Sequence, residues 1–163
     1  MTKYTEQKLV PYSASQLFAL VADVSKYPRF LPWCMAARVR SHVGNEMVAD
    51  LTIGFGPFRE SFTSRVFFRP PEGDGPCGIR VEYENGPFKY LHNSWDFTPH
   101  AEGCVVDFFV DFEFSSFMLQ AAIGVVFTEA VHLMMNAFLK RAQVVYGPPK
   151  PGPDPALEQK AVV

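Results

Sequence analysis

Residues 104–146, CVVDFFVDFEFSSFMLQAAIGVVFTEAVHLMMNAFLKRAQVVY, change their hydrophobic period once, and that change decides the architecture. In the first part, Cys104, Val106, Phe108, Val110, Phe112 and Phe114 alternate with positions that include Asp107, Asp111 and Glu113. Alternation by two sends neighbouring side chains to opposite faces of a strand, so one face is a row of rings and the other is charged. From residue 116 the spacing becomes helical and runs to residue 146 without a proline. At about 100° per residue, Thr128, Glu129, His132, Asn136, Lys140 and Gln143 fall on one side, and Phe127, Val131, Met134, Met135, Phe138 and Ala142 fill the remainder. Residues 117–127 are apolar all round except for Gln120 and Gly124, which predicts a helix embraced by a sheet on several sides. Between residues 116 and 139 only Glu129 carries a full charge, as in a membrane span, but the polar stripe of the second half argues for one long helix packed on a sheet.

Upstream, residues 34–114 keep period two, broken by turn residues at Gly44-Asn45, Gly56-Pro57, the loop 70–78, Asn85-Gly86-Pro87 and residues 99–103. Six strands with short connections pair antiparallel, and residues 4–10 add an opening strand. Met47, Ala49, Leu51, Ile53 and Phe55 share one face, opposite Val48, Asp50 and Thr52. In the next strand Phe58, Phe62, Val66 and Phe68 share a face with Glu60 and Ser64, while Arg59, Arg65 and Arg69 point away. Leu91, Asn93, Trp95 and Phe97 point inward by the same count. Ser13 with Gln16 forms a capping box ahead of Leu17, Leu20, Val21 and Val24, so a short helix follows the first strand. Residues 27–33, with Pro28 and Pro32 among three aromatic rings, predict a single turn that plugs one end of the sheet. The class is α+β: a curved antiparallel sheet of about seven strands wrapped around a long C-terminal helix. The proline-rich residues 148–163 read as a disordered tail after one domain over residues 1–147.

Composition narrows the function. A formal charge of −2 without a block of like charge gives no electrostatic footprint for DNA. Cys34, Cys77 and Cys104 lack Cys-x-x-Cys spacing, which predicts reduced thiols in a cytoplasm with neither disulfide nor zinc site. The first residues lack a signal-peptide or presequence pattern, so the mature chain is expected to begin at Met1. No Gly-x-Ser-x-Gly elbow, His-Glu-x-x-His or glycine-rich phosphate loop occurs, so no catalytic residue is assigned. His132 reads as a surface histidine, and Asp107, Asp111 and Glu113 read as a solvated strand face rather than a metal site. Glu60 reads as a rim carboxylate. The inward Ser64 and Asn93 either orient a ligand's polar head or bond backbone and buried water, and the row of rings is either a dry core or a cavity wall.

The run Tyr27-Pro28-x-Phe30-Leu31-Pro32-Trp33-Cys34, then Gly54-Phe55 and Glu60-Ser61-Phe62-Thr63-Ser64-x-Val66, resembles the coenzyme Q-binding proteins of the START-like, helix-grip superfamily that also holds polyketide cyclases. So do Gly86-Pro87-Phe88-x-x-Leu91-x-x-x-Trp95-x-Phe97-x-Pro99, Val106-Asp107-Phe108-x-x-x-Phe112-Glu113-Phe114, and Ala137-Phe138-x-x-Arg141-Ala142 with Tyr146-Gly147. The resemblance spans about residues 3–147. It implies a helix-grip fold, a deep cavity between sheet and last helix, and binding of ubiquinone or a related polyprenyl lipid in support of respiration, with no enzymatic activity. It makes Phe30, Trp33, Phe55, Phe62, Trp95, Phe112 and Phe117 candidate cavity or entrance residues. Leu51, Ile53, Glu60, Ser64, Val66, Asn93, Phe108, Val110 and Val125 join them as candidate ligand contacts by inward alternation or helix position.

A bacterial branch of the same family consists of ribosome-association toxins, which share Pro28-x-Phe30-Leu31-Pro32 and Gly86-Pro87-Phe88-Lys89 with this chain. Trp33 before Cys34, and Glu60 ahead of Phe62-Thr63-Ser64, look more like the quinone-binding branch, whereas Asn93 and the loop 71–77 depart from both. The expected function is therefore non-enzymatic carriage or chaperoning of a polyprenyl quinone, with transient contact to a membrane surface and a cytoplasmic or peripheral inner-membrane location. The alternative is a ribosome-binding module that uses Arg59, Arg65 and Arg69; a third reading, a cyclase-type enzyme, needs Glu60 inside the cavity.

Overall fold

The computed structural model describes residues 2–149. Seven strands, β1 (Thr2–Val10), β2 (Cys34–Val43), β3 (Glu46–Phe55), β4 (Phe58–Arg69), β5 (Cys77–Asn85), β6 (Phe88–His100) and β7 (Gly103–Phe114), form one sheet in the order β1-β7-β6-β5-β4-β3-β2. Every neighbouring pair is antiparallel, as short connections require. Register shifts at Cys34/Ala36, Val39/Ser41, Thr63/Ser64 and Phe88/Tyr90 bend the strands and curve the sheet. Gly86, at φ +144°, lets the β5–β6 turn pass close to β4: a Cβ there would sit 2.5 Å from Cβ of Phe62.

Helix α1 (Ala14–Ala22) starts on the predicted capping box: Ser13 Oγ accepts from the Gln16 amide at 3.1 Å, and Gln16 Oε1 accepts from the Ser13 amide at 3.0 Å. A 3₁₀ helix over Val24–Arg29 follows, and its Tyr27 and the Phe30 that caps it pack edge-on against Phe138 at 5.4 and 5.1 Å. The outer sheet face carries ion pairs, among them Arg65 with Glu46 and Glu84 and Arg69 with Asp96, which keep it solvated.

The C-terminal segment departs from expectation in two ways. First, the one long helix is two, α2 (Phe117–His132) and α3 (Met134–Tyr146), inclined by 49° at Leu133. Neither proline nor glycine marks the break. The Leu133 amide is shared between the carbonyls of Glu129 and Ala130, at 3.1 and 3.2 Å, so the last turn tightens toward 3₁₀ geometry with ψ near −1°. The cause is tertiary, because α2 lies on β7, β1 and β3, whereas α3 turns onto α1. Tyr12 donates to the Gly147 carbonyl at 2.8 Å and Tyr146 to the Gln16 carbonyl at 2.9 Å, clasping α3 there.

Second, the sheet embraces α2 on one stripe only. Ile123, Gly124, Phe127 and Val131 are buried, but Phe117 is 90% and Val125 79% exposed. An all-apolar helix has no polar side to declare which stripe faces the sheet. Phe58 is also 40% exposed, because β4 begins beyond the end of the core. The proline-rich tail expected over residues 148–163 lies, from residue 150 onward, outside the described residues.

Candidate functional site

The inward row of rings divides along the sheet. At one end Phe88 meets Phe62, Tyr83, Phe112, Phe114 and Phe127 with ring centroids 4.9–6.0 Å apart, mostly edge to face, and this end is dry. At the other end Trp95 meets Phe108 and Phe138 at 4.5 and 5.2 Å, and beside these rings lies a cavity of about 110 Å³. The two alternatives left by the alternation are thus both realised, side by side.

Strands β3 to β7 supply its floor through Leu51, Phe62, Ser64 and Val66, then Val81, Asn93, Trp95, Phe108 and Val110. Helices close it from above with Phe127 and Val131 of α2, Met134 and Phe138 of α3, and Val21 of α1. The turn after α1 seals one side with Tyr27 and Trp33. Of the residues singled out from sequence, Trp33, Leu51, Phe62, Ser64, Val66, Asn93, Trp95, Phe108 and Val110 therefore stand in one lining.

The others stand elsewhere. Phe112 is fully buried in the dry ring cluster, Ile53 is buried outside the lining, and Phe55 packs edge-on against Phe127 at 6.1 Å. Phe30 lies between Phe138 and the Arg141 guanidinium, 5.3 Å from its ring centre, so it supports the wall without reaching the interior. Glu60, opposite Ile53 and near the β3–β4 turn, is partly exposed and outside the lining. Phe117 and Val125 face outward and do not line the cavity. The contribution missed from sequence is chiefly the helical roof. Its positions 127, 131, 134 and 138 follow the 3–4 spacing of one helical stripe, a signal that was legible had the buried stripe been treated as a cavity wall.

No lining side chain carries a charge. Of its hydroxyl- and amide-bearing members, Tyr27 donates to the Val21 carbonyl, and Asn93 Nδ2 donates to the Phe109 carbonyl at 2.9 Å. Burial pushes the Tyr27 phenol well above its ordinary range. Burial likewise raises Cys34 and Cys77 to about 11 and Cys104 to about 12, so these thiols stay protonated and are poor nucleophiles. His132 is exposed and stacks on Tyr4 with centroids 4.3 Å apart. On the outer face Asp107 accepts from Gln7 at 2.8 Å, and among the described residues no group of His, Cys, Asp and Glu is arranged to hold a metal. A larger open groove of about 370 Å³ over β1, β6 and β7 is polar, and its Asp96 and Asp107 are already partnered.

Such an interior favours binding by shape and desolvation. Its volume suits a ring-sized group, since pockets for larger ligands run to roughly 300–1,000 Å³. A longer molecule requires α2 to move away from the sheet. Among the described residues no single helix is long and apolar enough to cross a membrane; α2 and α3 reach that composition only as a bent pair whose Phe127, Val131, Met135 and Phe138 belong to the core.

Comparison with known proteins places this architecture. A family model described as polyketide cyclase/dehydrase and lipid transport matches residues 10–139. The ribosome association toxin RatA of Rickettsia prowazekii is 39% identical over 145 residues, covering 89% of this chain and 99% of that one. The mitochondrial coenzyme Q-binding protein COQ10 of Drosophila melanogaster is 35% identical over 151 residues, covering 90% of this chain and 60% of that one. Among solved structures, the 18 kDa protein CC1736 of Caulobacter crescentus superposes with a TM-score of 0.69 at 34% identity, covering 91% of this chain and 100% of that one. The Zhui aromatase/cyclase of Streptomyces shares the fold at a TM-score of 0.68 and 14% identity, covering 87% and 93%. With its START-like sheet, its helical roof and the apolar cavity between them, the chain belongs to the polyketide cyclase/dehydrase and lipid transport family.

Proposed function

We propose that this domain holds a neutral polyprenyl lipid, a quinone of the ubiquinone type, and carries or chaperones it without chemical change in support of respiratory electron transport. The observation that carries this reading is the cavity itself: walled by rings and aliphatic groups, free of lining charge, and roofed by a helix that rests on the sheet along one stripe. A quinone-sized ring suits the volume, and the isoprenoid tail follows the apolar seam that opens when α2 lifts. Each methylene taken from water contributes about 0.8 kcal/mol, so the tail supplies most of the affinity. The relative named as a coenzyme Q-binding protein agrees with this ligand class.

Such a lipid resides in a bilayer. Phe117, Met118 and Val125 on the outer stripe of α2 give the domain an apolar face for a membrane surface, consistent with a cytoplasmic protein that visits the inner membrane. Replacing Phe117 and Val125 by Ser should abolish flotation with phospholipid vesicles while leaving the fold intact; undiminished flotation removes this role for α2.

The deciding experiment is solvent extraction of protein purified under mild conditions from its native host, followed by mass spectrometry. A polyprenyl quinone near one equivalent is the expected result; an empty extract from folded protein rejects the carrier reading. A second reading, ribosome association, is favoured by the toxin-named relatives that match this chain almost end to end. Against the arginine face as its contact, Arg65 and Arg69 are already engaged by Glu46, Glu84 and Asp96. Cosedimentation with ribosomal subunits that is lost on charge reversal at Arg59, Arg65 and Arg69 would establish that reading instead. The enzyme reading loses its one charged candidate, since Glu60 lies outside the cavity lining.

A further inference from the structure

Ser64 is 4% exposed, lines the cavity, and its Oγ has no hydrogen-bond partner. None of its neighbours in the sheet is placed to bond it. Across the ladder it faces Ala49 on β3 and Tyr83 on β5, whose hydroxyl is already the acceptor for the Phe88 amide at 3.1 Å. Its same-face neighbours on β4 are Phe62 and Val66, and β5 stands between it and Asn93. The β4–β5 ladder shifts register beside it, between Thr63 and Ser64, an irregularity of the kind that re-aims a side chain.

Resting on the cavity reading above, we infer that Ser64 is the head-group anchor and that it selects the ligand's chemistry: an uncharged lipid with a carbonyl, ether or hydroxyl oxygen. Tyr27 and one amide hydrogen of Asn93 are committed to the backbone, whereas the Ser64 hydroxyl is buried with no partner at all. With no cationic lining residue, a carboxylate or phosphate would be buried unpaired, so fatty-acid anions and phospholipids are rejected. The orphaned hydroxyl weakens the empty protein and strengthens the loaded one. Those effects have opposite signs, which a merely structural serine would not show.

The test compares wild type with Ser64→Ala, using quenching of Trp33 and Trp95, the two tryptophans of the chain, both of which line the cavity. The probes are decyl-ubiquinone, decylbenzene and dodecanoate at pH 8, with thermal melting of the ligand-free proteins alongside. S64A is expected to melt roughly 2–4 °C higher, to bind decyl-ubiquinone about tenfold more weakly, and to bind decylbenzene as before; dodecanoate should bind neither protein. Equal quinone affinity in the two proteins overturns the anchor, as does a lower melting temperature in S64A, which would mean that the hydroxyl makes an internal bond. Dodecanoate binding comparable to that of the quinone overturns the selection for neutral ligands. A wild type that binds neither decyl-ubiquinone nor decylbenzene overturns the cavity reading, and the anchor with it.

Discussion

Filling the cavity should stabilise the protein and abolish ligand binding together. Ala49 is buried on β3, lines the cavity and lies opposite Ser64, so Ala49→Leu sends an isobutyl group into the void. An unfilled cavity costs about 24 cal/mol per Å³; over about 110 Å³ that is about 2.6 kcal/mol. Transfer of the added carbons, at ~0.8 kcal/mol each, is of the same size. Rotamer loss and imperfect fit reduce the return, leaving an expected gain of about 1–2 kcal/mol, or a rise of roughly 2–8 °C in melting temperature for a domain of this length. Urea denaturation at constant m-value measures the gain, and quenching of Trp33 and Trp95 by decyl-ubiquinone measures the loss of binding. A destabilised A49L protein that still binds quinone would refute the reasoning, because it would mean that the interior at Ala49 is already full and that the ligand sits elsewhere.

Phe127 touches Phe55, Phe88, Phe112 and Phe114 on one side and the cavity on the other, so Phe127→Ala should cost about 3–5 kcal/mol in chemical denaturation. Tyr146→Phe removes the bond to the Gln16 carbonyl and should cost about 1 kcal/mol, with faster amide exchange confined to the end of α3. Burial raises Cys34, Cys77 and Cys104 from an ordinary value of 9.0 to between about 11 and 12. The unfolded chain therefore releases these protons first, so stability should fall as pH climbs from 9 toward 12 and the slope should flatten in a Cys→Ala triple variant. At pH 8 the native thiols should resist a maleimide that labels the denatured chain fully.

Sequence periodicity by itself determined the seven strands, the first helix and the helical character of the C-terminal segment, in chain order. The Ser13–Gln16 capping box marked the start of α1, and short turn-bounded strands made an antiparallel meander the economical solution. Alternation also assigned Leu51, Ser64, Val66, Asn93, Trp95 and Val110 to the inner face, because the pleat leaves a side chain only two directions. Depth along a strand has no such period. Phe108 and Phe112 belong to the same inward row of β7, yet the first lines the cavity and the second is sealed among rings, a difference set by what packs opposite.

The helical roof shows the same limit. Residues 117–127 are so uniformly apolar that no moment points to a buried stripe, and only docking on β7 turned Phe127 inward and left Phe117 and Val125 outside. The bend at Leu133 has no breaker residue to announce it; it follows from α2 resting on the sheet while the tyrosine clasps hold α3 to α1. That the Ser64 hydroxyl lacks a partner was likewise beyond the sequence, since hydrogen bonding depends on distances between strands far apart in the chain, which come into being only when the sheet curves and closes under its helices.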